Sequence, residues 1–161
     1  MFGRYWKGGI QMASSEFLRI LMEHTGNEIL EGCGVHAALM VEPFLGEILA
    51  GRKTIESRFS KNRIAPFKRI QSGDVVFLKK SGGPFVGWFR AGEVLSFELD
   101  RTEDVERLRD QYNDRLCADD AFWTSKADSR YATLIFIRDL HTFETPIEIH
   151  AKNRQSWIVL Q

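Results

Sequence analysis

Phe17, Leu18, Leu21 and Met22 recur at three- and four-residue intervals after Ser14 and Ser15. That spacing predicts a first helix with a serine at its cap, broken at Thr25-Gly26-Asn27 and again at Gly32-Cys33-Gly34. Val35 to Val41 is a short run, apolar but for His36, and predicts a buried strand. Pro43 can open a second helix whose apolar residues are Phe44, Ile48 and Leu49, with Gly51 as its stop. Lys53 to Phe59 alternates as a strand would, with Lys53, Ile55 and Ser57 on one side and Thr54, Glu56 and Arg58 on the other.

Val75 to Leu78 predicts another buried strand after the turn Ser72-Gly73-Asp74. Ser81-Gly82-Gly83-Pro84 turns the chain into Phe85 to Phe97, an aromatic β-rich run in which Gly87 and Gly92 mark bulges or close approaches. Arg101 to Leu116 has helical periodicity through Val105, Leu108 and Tyr112. Ala132 to Ile137, Thr142 to Ile149 (bent around Pro146) and Trp157 to Leu160 complete the strands. The β segments outnumber the helices and their connections are tight. This predicts an α+β fold: a small mixed β-barrel with flanking helices, not a doubly wound sheet.

With 161 residues the chain suits one domain, and its balanced composition excludes disordered and fibrous classes. No apolar run approaches the length of a membrane span. The N-terminal stretch has no signal-peptide pattern, so a cytoplasmic location is expected, with Met1 to Gln11 as a ragged extension. Cys33 and Cys117 are too few for a disulfide framework, and the histidines are scattered without metal spacing. No metal or cofactor is expected. His36, inside an apolar strand, reads as a buried, hydrogen-bonded histidine, and His141 and His150 as surface residues. Trp88 and Trp157 lie in β runs and read as core, while Asp119-Asp120 alone is a weak metal signal.

The 22 basic and 22 acidic residues cancel, which excludes bulk coating of nucleic acid. They are unevenly placed. Residues 51–90 carry ten Lys/Arg against Glu56 and Asp74, a net +8, and residues 91–120 carry four Arg against ten acids, a net −6. The basic stretch could form a local face for a polyanion, or the acidic helix could pack beside it and neutralise it.

Gly51-Arg52-Lys53-Thr54-Ile55-Glu56-Ser57-Arg58 has the form G-x-K-x-x-E-x-R at a helix-to-strand junction. Glu56 and Arg58 share a strand face and could pair with each other or both address a ligand, since arginine grips phosphate and glutamate accepts from an exocyclic amine. Lys80 and Ser81, before two glycines, could line an anion-binding nest or simply turn a hairpin. Trp123, Lys126, Arg130 and Tyr131 interleave aromatic and cationic groups, a set that can stack a base and hold its phosphate. Trp123 could equally cap the barrel end.

The stretch Gly51 to Arg58 resembles the signature of the ASCH family. The likeness continues through His36 to Leu45, Gly73 to Pro84, Phe122-Trp123, Ser129 to Leu134 and Ser156 to Leu160. It covers residues 35–161 and leaves residues 1–34 as an N-terminal extension with a helix. The resemblance implies a PUA-like β-barrel with a ligand cleft lined by Lys53, Glu56 and Arg58, and an RNA-binding role. It also implies that a related enzyme is possible. One small bacterial branch removes the acetyl group of N4-acetylcytidine with a lysine and a threonine three residues apart, and other relatives cut RNA with the motif lysine. This chain keeps the lysine as Lys53 and has Glu56 in place of that threonine.

Two readings follow. In the first, the protein binds RNA or a nucleoside: Lys53 and Arg58 meet phosphate or a carbonyl, Glu56 accepts from a base edge, and Trp123 or Tyr131 stacks. Residues 61–69 add general attraction. In the second, a hydrolase of RNA or an acylated nucleoside uses Lys53 and Glu56 as catalytic residues, with Lys53 made less basic by Arg52 and Arg58. A protein partner on the acidic helix 101–116 is a weaker third possibility.

Overall fold

The computed structural model describes residues 4–7, 10–149 and 155–161, with side chains from residue 15 onward; His150 lies outside the described residues. A short hairpin, β1 (Arg4–Lys7) with β2 (Ile10–Ala13), precedes helix α1 (Ser14–Thr25) and the single turn α2 (Asn27–Leu30). There follow β3 (Val35–Met40), α3 (Phe44–Leu49), β4 (Ile55–Ser60), β5 (Val75–Lys80) and β6 (Phe85–Glu98). The chain continues through α4 (Thr102–Leu116), α5 (Asp120–Lys126), β7 (Tyr131–Ile147) and β8 (Trp157–Val159).

Six strands form one mixed sheet in the order β4-β7-β6-β5-β3-β8, parallel only between β3 and β5. The sheet curls into a half-barrel, so both faces of most strands are buried and the strands read as nearly unbroken apolar runs. Alternation then sorts the side chains. Ala38, Met40, Val76, Leu78, Phe89, Ala91, Ile135 and Trp157 pack together on the concave side with Leu45 and Ile48 of α3. On the outside, Val35, Ala37, Val75, Phe77 and Phe85 meet Phe17 and Leu21 of α1. At the other outer flank, Ile55, Ala132 and Leu134 meet Val105, Leu108 and Leu116 of α4 and Trp123 of α5.

The expected elements appear, with four corrections. In α3 the buried residues are Leu45 and Ile48, whereas Leu49 is exposed. Residues 132–149 do not form two strands: β7 runs unbroken to Ile147. The polar stretch Arg138-Asp139 is absorbed as a bulge, with Asp139 at φ +50° and a matching register shift on β6 between Trp88 and Arg90. Helix α5 falls where only an aromatic cluster was expected, and Asp119 is its cap rather than a metal ligand, its Oδ1 accepting from Phe122 N. Finally, Lys53 is not in the strand. Lys53 N donates to Glu47 O and Thr54 N to Arg115 O, so strict alternation starts only at Ile55.

Gly87 and Gly92 sit beside register shifts of β6, as expected. A Cβ at Gly87 would stand 2.2 Å from His141 O, so only glycine lets β6 and β7 approach there. His36, Trp88 and Trp157 are buried, His141 is exposed and stacks on Trp88, and both cysteines are free and half-buried.

Candidate functional site

The half-barrel has a seam where its two edges curl toward each other. One edge is β4; the other is β8, with Ser156 before it and the end of β3 beside it. Arg58 spans the seam: its Nη1 donates to Ser156 O at 3.1 Å and its Nη2 to Leu39 O at 3.1 Å. Its guanidinium lies 5.3 Å from the Trp157 ring centroid, a cation–π arrangement. Among the described residues, Arg58 Nε is buried without an acceptor, and the hydroxyl of Thr133, its register partner on β7, is buried without a partner.

A cleft of about 300 Å3 opens at this seam. Leu39, Met40, Val41 and Ser156 line one side and Glu56, Ser57, Arg58 and Phe59 the other, with Lys53, Phe44, Phe122 and Lys126 closing it. Phe122 meets Phe44 and Phe59 edge-on at 5.3 and 6.0 Å, giving an aromatic wall.

Lys53 reaches this cleft because Gly51, at φ +77°, ends α3 and turns the chain inward. The residue is 3% exposed. Its Nζ donates to Leu116 O at 3.0 Å, lies 3.8 Å from Glu56 Oε1, and sits 5.3 Å from the Phe44 ring centroid. Leu116 is the last residue of α4, so the ammonium occupies the negative end of that helix. Burial pushes the Lys53 ammonium below the ordinary lysine value, Glu56 opposes the shift, and Arg58 adds to it more weakly. Arg52 has no part in this. It points outward and forms a two-pronged pair with Glu47, so the expected contribution of both arginines reduces to that of Arg58.

Glu56 is 4% exposed and already engaged. Its Oε1 accepts from Ser57 N at 2.6 Å and its Oε2 from Arg58 Nη2 at 3.4 Å. It acts as the counter-ion between Lys53 and Arg58, which fits a positioning role better than reading a base edge. Thr54 faces away, with its hydroxyl accepting from Arg115 Nε at 2.8 Å. Lys126 is different. It has no carboxylate partner among the described residues, and its Nζ lies 5.2 Å from the Phe122 ring centroid. Burial, with Arg58 second, holds its ammonium below the ordinary lysine value.

Of the residues singled out from sequence, the fold brings Lys53, Glu56, Arg58 and Lys126 to one cleft. Trp123 is directed elsewhere: it is 4% exposed, in the core under α4, with Nε1 donating to Asn113 Oδ1 at 2.9 Å. Its ring is not presented to a base, because at helical spacing the neighbour Phe122 takes the cleft face instead. Arg130 and Tyr131 line a separate polar groove with Glu98, Asp100 and Arg101, and the Tyr131 ring packs on Phe67 at 4.9 Å. Lys80 and Ser81 are exposed at the hairpin; the carbonyl of Gly83 there accepts from Lys79 Nζ at 2.6 Å, so the turn is held by a cation. Sequence reasoning missed Phe44 and Phe122 as cleft residues. The Asp119 cap, followed by a short amphipathic turn, was the signal that could have found Phe122.

The basic loop after β4 is partly neutralised, by Lys61 with Asp128 at 3.9 Å and Arg63 with Glu98 at 3.8 Å, both pairs largely in solvent. No helix among the described residues is long and apolar enough to cross a membrane.

No family model and no curated protein matches the chain. Solved structures do. The fold is similar to an ASCH protein from Zymomonas mobilis, with TM-score 0.54 and 15% identity over 79% of this chain and 87% of that one. It is similar also to a serine-to-alanine variant of that protein, with TM-score 0.62 and 15% identity over 79% and 88%. The likeness at this identity establishes the fold: a mixed half-barrel of the α+β class like that of the ASCH protein.

Proposed function

We propose, for a chain with the ASCH-type fold, that the seam cleft binds RNA or a nucleoside through Lys53, Arg58 and Lys126, with Phe122 as the stacking surface. The observation that carries this reading is the grouping of three cations against one carboxylate beside an aromatic wall. An anionic, planar ligand complements both features. Lys126 is the cation best able to meet phosphate, because Lys53 and Arg58 are already hydrogen-bonded within the protein. Glu56 keeps those two cations at fixed positions.

The test is fluorescence anisotropy with a labelled single-stranded RNA and a panel of nucleosides, over a salt series. Binding that weakens steeply with salt and is reduced by Lys126→Ala and Phe122→Ala supports the proposal. A salt-independent or absent response overturns it.

A second reading is favoured by one specific feature, the buried Lys53 amine beside Glu56. A lysine driven toward its neutral form in a cleft can act as a general base or polarise a carbonyl. In that reading the protein hydrolyses RNA or an acylated nucleoside, with Lys53 and Glu56 as the reacting pair. Incubation of Lys53→Met and Glu56→Gln proteins with labelled RNA and acylated nucleosides decides it. Turnover surviving both substitutions would remove this site from consideration.

A further inference from the structure

Behind Arg58 lies a buried polar chain that the cleft reading does not use. Trp157 Nε1 is 3.1 Å from His36 Nδ1, and His36 Nε2 is 3.0 Å from Asp74 Oδ2. An indole nitrogen is a donor only, so His36 Nδ1 must supply a lone pair. The imidazole proton therefore sits on Nε2 and is donated to Asp74. Asp74 is itself anchored, accepting from Gly34 N through Oδ1 and from Gln71 N through Oδ2, both at 2.9 Å. The histidine thus has its tautomer fixed from both sides.

We propose that His36 and Trp157 position Arg58 for the ligand of the cleft, and that protonation of His36 releases this positioning. The proposal rests on reading the cleft as the binding site. Its physics is the collision of two donors. A second proton on the ring can go only to Nδ1, where it faces the Trp157 N–H at 3.1 Å. His36 is 1% exposed, so the ring cannot turn to solvent to avoid it. The Trp157 bond is lost. The indole then shifts under Arg58, whose guanidinium rests on it, and Ser156 O, the adjoining acceptor of Arg58 Nη1, shifts with it. β8 has only three residues, paired with β3 through His36, Ala37 and Ala38; outside it the edge is held by Leu39 N to Ser156 O on one side and by Leu160 and Gln161 with Val35 on the other, so the shift is local to Trp157 and the Arg58 contacts.

Among the described residues, two charged groups act on His36, and its other neighbours carry no charge or act at one remove. Asp74, from the turn before β5, favours the charged ring, and Arg69, from the loop after β4, opposes it. Its strand partners are Val76 on β5 and Val159 on β8, which carry no charge. Arg58 on β4 reaches it only through Trp157, and Arg90 on β6 is tied to Gly73 O beside Asp74. Burial outweighs Asp74, so the neutral ring is favoured and the charged ring forms only below the ordinary histidine range.

Two measurements test the proposal. In the first, the Trp157 indole N–H resonance, assigned by its absence in Trp157→Phe, is followed by NMR from about pH 7.5 to about pH 4, below the ordinary histidine range. A shift or loss of that resonance in the wild type, absent in His36→Gln, is expected. Glutamine can accept from Trp157 and donate to Asp74 but does not titrate. In the second, affinity for a fluorescein-labelled single-stranded RNA is measured at both ends of that range. The wild type should lose about tenfold more affinity on acidification than His36→Gln does. An indole resonance that does not respond to pH, or an equal response in both proteins, overturns the proposal. Failure of RNA to bind at any pH sinks the cleft reading alone, and the NMR measurement still decides whether the His36–Trp157 bond is the acid-sensitive link.

Discussion

Lys53 closes the C-terminal end of helix α4, its Nζ 3.0 Å from Leu116 O, sixty-three residues away in the chain. A single side chain thereby joins the motif to the helix that covers β4. The ammonium is stabilised by the helix end and by Glu56, but burial outweighs both and lowers its proton affinity.

Stability should follow from that shift. The folded state holds the Lys53 proton less tightly than the unfolded chain does, so the unfolding free energy gains a contribution as pH rises through the folded value toward 10.5. Below that window the penalty is constant. Lys53→Met keeps the stem and removes the titration. Urea unfolding of both proteins across alkaline pH should show the wild type gaining on the variant. A constant difference between them contradicts the buried, charge-disfavouring setting of Lys53.

Lys126 should matter for ligand and not for folding. It is half-buried, without a carboxylate partner among the described residues, and stacked by Phe122. Lys126→Ala is expected to leave the melting temperature nearly unchanged, as surface substitutions do within about 0.5 kcal/mol. It should reduce the slope of log affinity for single-stranded RNA against log salt by about 0.7. Anisotropy titrations at several salt concentrations measure it.

Gly87→Ala should be costly for a purely steric reason. The added Cβ would meet His141 O at 2.2 Å, and that atom is backbone in the paired strand β7. A loss of about 2 kcal/mol or more in urea unfolding is expected, the cost of overpacking. Gly82→Ala is the comparison: it has φ +71° and open space, so only the left-handed backbone penalty of about 1 kcal/mol applies.

Asp119→Ala removes the acceptor for Phe122 N at the start of α5. The helix should lose about 1 kcal/mol, seen as a lower melting temperature. Because α5 carries both Phe122 and Lys126, RNA affinity should fall as well, although Asp119 is not a cleft residue.

Much of the fold was legible because both faces of the central strands are buried. Val35 to Val41 is apolar but for His36 and Val75 to Leu78 is apolar throughout, and the turns between strands carry their glycines. The merging of two predicted strands into β7 was not legible: Arg138 and Asp139 have loop chemistry, and only the resumed pairing with β6 on both sides of the bulge shows that the ladder continues. At the site, the motif alone located Lys53, Glu56 and Arg58. Their convergence depended on Lys53 lying before the strand, where alternation does not apply. The sequence singles out Trp123 and Tyr131 for stacking, whereas the aromatic side chain from α5 that lines the cleft is Phe122. Trp123 and Phe122 differ by about 100° around a short helix, and which of the two meets the cleft is set by packing under α4, a contact between distant segments.

The seam has one more consequence. A half-barrel leaves two sheet edges, and an exposed edge is a template for pairing with another chain. β8 covers three positions of β3 and Ser156 O takes the N–H of Leu39, so the carbonyl of Leu39 is where the pairing ends, and there the guanidinium of Arg58 occupies the acceptor that a foreign strand would need. The arginine should therefore also guard this edge against self-association. Its removal would convert a ligand-facing gap into an open edge, and the expected failure of an Arg58→Ala protein is aggregation on concentration rather than simple loss of binding.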